Sequence, residues 1–124
     1  MENHKKILII EDESTIINAL KIKLQKDDVE ILSAKNGAIG LQVALDTRPD
    51  LIVLDIIMPI LDGMKMLDEL RGDDWGKSVP VLILTNLSDD NVQAKAKELN
   101  VESYLVKADW NLSDIVKKIK SYLL

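Results

Sequence analysis

Five short apolar runs recur along this chain, and each is followed by a segment with apolar residues at helical spacing. That alternation constrains the fold more than any other feature. Ile7–Ile10 reads as a first strand, and Ser14–Lys26 as a helix with Ile17, Leu20 and Leu24 on one face. Val29–Ala34 reads as a strand, and Gly37–Thr47 as a helix built around Ala38, Leu41 and Leu45. Leu51–Leu54 is the third strand, followed by a helix over Asp62–Arg71 that Gly72 terminates. Val81–Leu84, introduced by Pro80, is the fourth strand. A helix over Asp89–Leu99 carries a thin apolar face of Val92, Ala96 and Leu99, and Asn100 then suits a left-handed cap. Ser103–Val106 is the fifth strand. Leu112–Leu124 is the last helix, with Leu112, Ile115, Val116, Ile119 and Leu123 on one side. Strict alternation predicts an α/β fold, a parallel sheet with helices on both faces. Runs that are apolar throughout agree, because such strands are buried on both sides. Right-handed crossovers leave few topologies, and five strands favour the open, doubly wound order 2-1-3-4-5.

The 124 residues are read as a single domain over 1–124, a length sufficient for one core. The formal net charge of −5, with no basic stripe, argues against direct nucleic-acid binding. Cysteine is absent, which excludes disulfides, thiol catalysis and Cys-ligated metal and fits a cytoplasmic location. The lone His4, placed in the N-terminal tail, leaves little room for a His-based metal site or a Ser-His-Asp triad. The N-terminal apolar run is too short for a signal peptide. The longest apolar stretch, Leu51 to Leu61, is broken by Asp55 and Pro59 and cannot span a bilayer.

In an open α/β sheet the ligand site lies outside the carboxyl ends of the strands. Glu11 and Asp12 follow the first strand, Asp55 the third, Thr85 the fourth and Lys107 the fifth. The edge strand, the second, delivers only Lys35 and Asn36. Three acids, a hydroxyl and an ammonium therefore converge on one rim. Clustered carboxylates repel one another unless a cation sits among them, and hard oxygen ligands suit Mg²⁺. A carboxylate can also be a nucleophile that forms an aspartyl-phosphate. Mg²⁺, the Lys107 ammonium and the Thr85 hydroxyl could each meet one phosphoryl oxygen, so the set reads as a site that accepts a phosphoryl group on Asp55.

The stretches ILIIEDE, DLIVLDIIMPILDGMKML, VPVLILTNLSD and SYLVKADW, in that order, resemble the receiver domain of two-component response regulators. That group includes the single-domain chemotaxis regulator, and the resemblance covers essentially the whole chain. It implies a flavodoxin-like (βα)5 fold. It implies Asp55 as phosphoacceptor, and Glu11 and Asp12 as the acidic pair that holds Mg²⁺ with the backbone carbonyl of Ile57. It implies Thr85 as the switch hydroxyl, Lys107 as the family's lysine, and Tyr104 as the aromatic whose rotamer reports activation. Pro59 and Gly63 match the turn after the acceptor. The implied function is a phosphorylation-dependent switch rather than an enzyme, apart from self-catalysed phosphoryl transfer and slow loss of the phosphate. A sensor histidine kinase or phosphotransfer protein would supply the phosphoryl group. The face made by the fourth helix, fifth strand and fifth helix would act on a downstream protein, an output domain or a second copy in a phosphorylation-dependent homodimer. The tail, which ends its helix without a linker, slightly favours a stand-alone regulator over an excised receiver.

Three departures from the family pattern stand out. Ala108 follows Lys107 where the family has Pro and a cis bond. A cis bond before Ala costs about 2.5–4 kcal/mol, so a rebuilt trans loop is expected. Asn86 follows Thr85 where a small residue is commoner. Ile57 and Leu87, two residues after Asp55 and Thr85, are apolar and cannot orient an attacking water, which predicts slow self-dephosphorylation. Two other readings compete. A haloacid-dehalogenase-type phosphohydrolase would need a second acid where Ile57 stands, and space for a cap domain. A non-phosphorylated docking module would not need the complete set of Glu11, Asp12, Asp55, Thr85 and Lys107.

Overall fold

The computed structural model describes residues 5–25, 28–58 and 61–123. Five parallel strands, β1 (Lys5–Ile10), β2 (Val29–Ala34), β3 (Leu51–Leu54), β4 (Val81–Thr85) and β5 (Ser103–Val106), form one sheet in the order β2-β1-β3-β4-β5. The intervening helices are α1 (Ser14–Leu24), α2 (Gly37–Thr47), α3 (Gly63–Arg71), α4 (Asp90–Glu98) and α5 (Leu112–Ser121). The flavodoxin-like architecture expected from the alternation is the one observed. His4, Lys26, Pro59 and Leu124, each named in the sequence reading, lie outside the described residues.

Alternate strand residues build two cores. Leu8, Ile10, Ile52, Leu54, Val81 and Ile83 point to one face and meet α2, α3 and α4 through Ala44, Met66, Leu67, Leu70 and Ala96. Ile7, Ile9, Leu51, Val53, Leu82, Leu84 and Leu105 point to the other face and meet α1 and α5 through Ile17, Leu20, Leu24, Ile115, Val116 and Ile119. The central strands β3 and β4 are buried at every position. That explains their unbroken apolar runs.

Most helices start on side-chain caps. Asn36, Asp62, Asp89 and Asn111 accept the backbone N–H groups of Ile39, Lys65, Val92 and Asp114. Asn100 takes the left-handed backbone expected of it, with φ of 60°. Arg71, at the end of α3, donates to the carbonyls of Gly76 and Val79 in the following loop. The same guanidinium donates to Leu99 and Asn100 at the end of α4.

One helix turns a different face inward than its apolar spacing predicts. α2 buries Gly37, Gly40 and Ala44, leaves Leu41 half-buried, and exposes Ala38 and Leu45. The cause is close approach: a Cβ at Gly40 would lie 2.6 Å from Ile10 Cδ1, and one at Gly37 would lie 2.1 Å from the Leu61 carbonyl oxygen. The helix lies so near Ile10 and Leu61 that only small residues fit beneath it, and its larger side chains are pushed to the flanks.

Gly63 is similarly confined, because a Cβ there would come 2.4 Å from the Asp55 carbonyl oxygen and 2.7 Å from Ile56 Cα. Gly63→Ala is expected to lower unfolding free energy by about 1–3 kcal/mol, as overpacking does. At Gly72 the nearest atom to an added Cβ is 3.4 Å away, and φ is −81°. Gly72→Ala is expected to be neutral or to stabilise by up to about 1 kcal/mol. Urea denaturation of the two variants measures the contrast.

Candidate functional site at the carboxyl edge of the sheet

The sheet order itself brings the acids together. β1 and β3 are neighbours, paired from Ile7 with Leu51 to Ile10 with Leu54. The Asp55 N–H continues that ladder by donating to the Ile10 carbonyl at 2.9 Å, and the Glu11 N–H donates to Ala34 on the other side at 2.9 Å. Glu11 and Asp55 thus leave adjacent strands side by side. Each carboxylate is then turned by a nearby backbone donor. Ile57 N–H reaches Asp55 Oδ1 at 3.2 Å, and Glu13 N–H reaches Glu11 Oε2 at 3.0 Å.

Lys107 arrives from the end of β5 and sits among three acids. Its Nζ lies 2.8 Å from Glu11 Oε1, 3.2 Å from Asp55 Oδ2 and 3.3 Å from Glu13 Oε1. Lys107 opens a 3₁₀ turn over Lys107–Asp109, and no peptide among the described residues is cis. The loop is therefore the trans form expected from Ala108, and the lysine still reaches Asp55.

Glu11 and Asp55 are only 2% and 5% exposed, so their charges are poorly hydrated. Burial pushes the Glu11 carboxyl up to about 7, against the bonds from Lys107 and the Glu13 N–H, and the charge on Asp55 pushes it further up. Burial alone would depress the Lys107 ammonium. The bond to Glu11 and the charge on Asp55 overcome it, and the group is held above its ordinary value. Glu11, Asp12 and Asp55 each offer an oxygen, and these lie within 4.8 Å of one another. A donor set made only of carboxylate oxygens, crowded and short of positive charge, fits a hard divalent cation such as Mg²⁺.

Thr85 is the last residue of β4 and is fully buried, rather than standing free beyond the strand. Its Oγ1 accepts the Leu87 N–H at 3.3 Å. The carbonyl of the same Leu87 accepts the Tyr104 hydroxyl at 2.6 Å. Burial raises the Tyr104 phenol above its ordinary value, with the charges of Asp89 and Asp55 adding to the effect. Asn86 is exposed beside this link, and Ile57 leaves its side chain 53% exposed at the rim.

The profile of the response regulator receiver domain matches residues 7–120. The chain belongs to the response regulator receiver domain family. The transcriptional regulatory protein PrrA of Mycobacterium leprae is 36% identical over 118 residues, covering 95% of this chain and 49% of PrrA. The receiver thus spans about half the length of the curated relatives it matches. The phosphorylated cyanobacterial phytochrome response regulator RcpA superposes with a TM-score of 0.85 at 29% identity, covering 97% of this receiver and 94% of RcpA. The Mn(2+)-bound form of response regulator Rcp1 superposes with a TM-score of 0.82 at 28% identity, covering 94% and 90%. Receivers of this family are regulatory modules of two-component signalling. They bind Mg²⁺ through an acidic cluster and work with histidine kinases and output domains. No helix among the receiver's described residues is long and apolar enough to cross a membrane.

Of the residues singled out from the sequence, Glu11, Asp12, Asp55 and Lys107 come together at one point. Thr85 and Tyr104 join one another through Leu87. Lys35 instead donates to Ser14 Oγ at 2.8 Å. Glu13 carries no role in the sequence reading, yet it is the third partner of Lys107. Nothing in the local sequence marks it, and only the tertiary path of β5 reveals the contact.

The Glu11 shift has a measurable consequence in chelator. A carboxyl raised from 4.5 to about 7 on folding favours the folded state while protonated. Its contribution is full below about 4.5 and is lost as pH rises through about 7. Denaturation of the metal-free receiver is expected to show stability falling across that window. Glu11→Gln is expected to flatten the slope.

Proposed function

We propose that this receiver is a phosphorylation-dependent switch whose Asp55 carboxylate accepts a phosphoryl group from the phosphohistidine of a sensor kinase or phosphotransfer protein. One observation carries the reading: the Lys107 ammonium lies 3.2 Å from Asp55 Oδ2. The cation suited to a phosphoryl oxygen is already bonded to the nucleophile.

An Asp55 oxygen attacks phosphorus, the O–P bond forms, and the donor's P–N bond breaks. The electron pair leaves on the imidazole, which takes up a proton. With a small acyl phosphate the leaving group is a carboxylate. The protein's task is to position the reactants and neutralise charge. Glu11, Asp12 and Asp55, with the Ile57 backbone carbonyl, are the residues that would hold Mg²⁺. When bound, that ion supplies positive charge for the phosphoryl oxygens. The Mn(2+)-bound Rcp1 and the phosphorylated RcpA support this reading by relationship.

Thr85 Oγ1 uses a lone pair on the Leu87 N–H, so its hydroxyl proton is free for a phosphoryl oxygen. Leu87 is the joint between this hydroxyl and Tyr104. A Thr85 drawn toward the phosphoryl group disturbs the 85–87 backbone and loosens the tyrosine bond. α4 buries only Ala96 among its residues, so few apolar contacts oppose movement of its N-terminal end. The face of α4, β5 and α5 then passes the change to a downstream protein, an output domain or a second copy of the receiver. Such a switch is a two-state element biased by one local charge.

Incubation with Mg²⁺ and acetyl phosphate is expected to give one phosphoryl adduct by intact-mass spectrometry, lost in Asp55→Asn and in chelator. No adduct on the parent chain overturns the reading, and continuous phosphate release from monoesters points to a hydrolase instead. The aspartyl-phosphate is expected to be long-lived, because Ile57 and Leu87 hold no group for water. Ile57→Asn is expected to shorten its lifetime about fivefold, the equivalent of one hydrogen bond. Rapid loss from the parent, unchanged by the substitution, counts against the proposed role of Ile57.

A further inference from the structure

We infer that Glu13 is a positioning residue for Lys107: a resting-state counter-ion that holds the exposed side of the ammonium by a hydrogen bond and must yield before a phosphoryl oxygen takes its place. The inference rests on the proposed phosphoacceptor reading and adds what sets its rate.

An ammonium has three protons to donate. In this receiver the Lys107 ammonium is crowded by three carboxylates: it is hydrogen-bonded to Asp55 at 3.2 Å and Glu13 at 3.3 Å and ion-paired with Glu11 at 2.8 Å. A phosphoryl oxygen on Asp55 competes with these three carboxylates for the ammonium. Asp55 carries the incoming group and Glu11 is 2% exposed beside it, fixed by the Glu13 N–H. The Glu13 side chain is 49% exposed and makes the longest of the three contacts. Water can replace it most readily there, so it is the partner that leaves.

The alternative role for an acid at this position is a helix cap, and the structure speaks against it. Glu13 is the N-cap residue of α1, yet its side chain makes no capping hydrogen bond. Its carboxylate instead crosses to a lysine 94 positions away in the chain. The helix start forgoes a side-chain cap while the ammonium keeps an exposed partner.

The test uses the full chain, Mg²⁺ and acetyl phosphate, with Glu13→Gln and Glu13→Asp. Gln removes the charge. Asp keeps the charge but is one methylene shorter and prefers the cap. Breaking one exposed ion pair predicts that both variants take up phosphate about two- to fivefold faster than the parent. The gain is expected to shrink in high salt. Without any phosphodonor, Lys107 is expected to react faster with an amine-acetylating reagent in both variants, read by peptide mass spectrometry. Acceleration by Gln alone would assign the effect to net charge and overturn the contact. An adduct that forms at parental rates in both variants overturns this inference and leaves the phosphoacceptor reading standing. Absence of any adduct on the parent removes both.

Discussion

Two carboxylates shut away from water on neighbouring strands cannot coexist without a cation, and that requirement organises this molecule. Glu11 and Asp55 are brought side by side by the pairing of β1 with β3, in the middle of the sheet. The nearest available charge comes from β5, two strands beyond β3, on a lysine long enough to reach back. The sheet order, the continuous burial of β3 and β4, and the 3₁₀ turn that launches Lys107 all serve the same meeting point. A strongly paired ammonium also leaves the site poised: enough positive charge to keep it folded, and too little to satisfy every oxygen.

The fold was largely legible because its signals were redundant. Unbroken apolar runs, helical apolar spacing in the segments between them and an Asn100 suited to a left-handed cap all agreed with one topology. The strand-end argument placed Glu11, Asp12, Asp55, Thr85 and Lys107 on one rim without needing any side-chain geometry. Apolar periodicity misplaced the inward face of α2, where Gly37, Gly40 and Ala44 are buried, Leu41 packs from the flank and Leu45 is exposed. Counting large side chains cannot detect a face defined by their absence.

Other features needed three dimensions. The Tyr104–Leu87–Thr85 link depends on the path of the loop after β4, and no spacing rule encodes it. Glu13 carried no signal, because local sequence shows only the helix that follows it. Its partner is set by where β5 ends. Thr85 looked like a rim residue and lies fully buried, since β4 continues one residue further than its apolar run.

The four carbonyls gathered by Arg71 bear on the mechanics of the chain. They rivet the C-terminal end of α4 to α3 and to the loop before β4. The opposite end of α4 closes its first turn on the Asp89 side chain and meets the core through the half-buried Val92. A rod clamped at one tip and held more lightly at the other has a fulcrum. A push delivered near Leu87 would swing its near end through the larger arc and leave the clamped tip in register with the sheet.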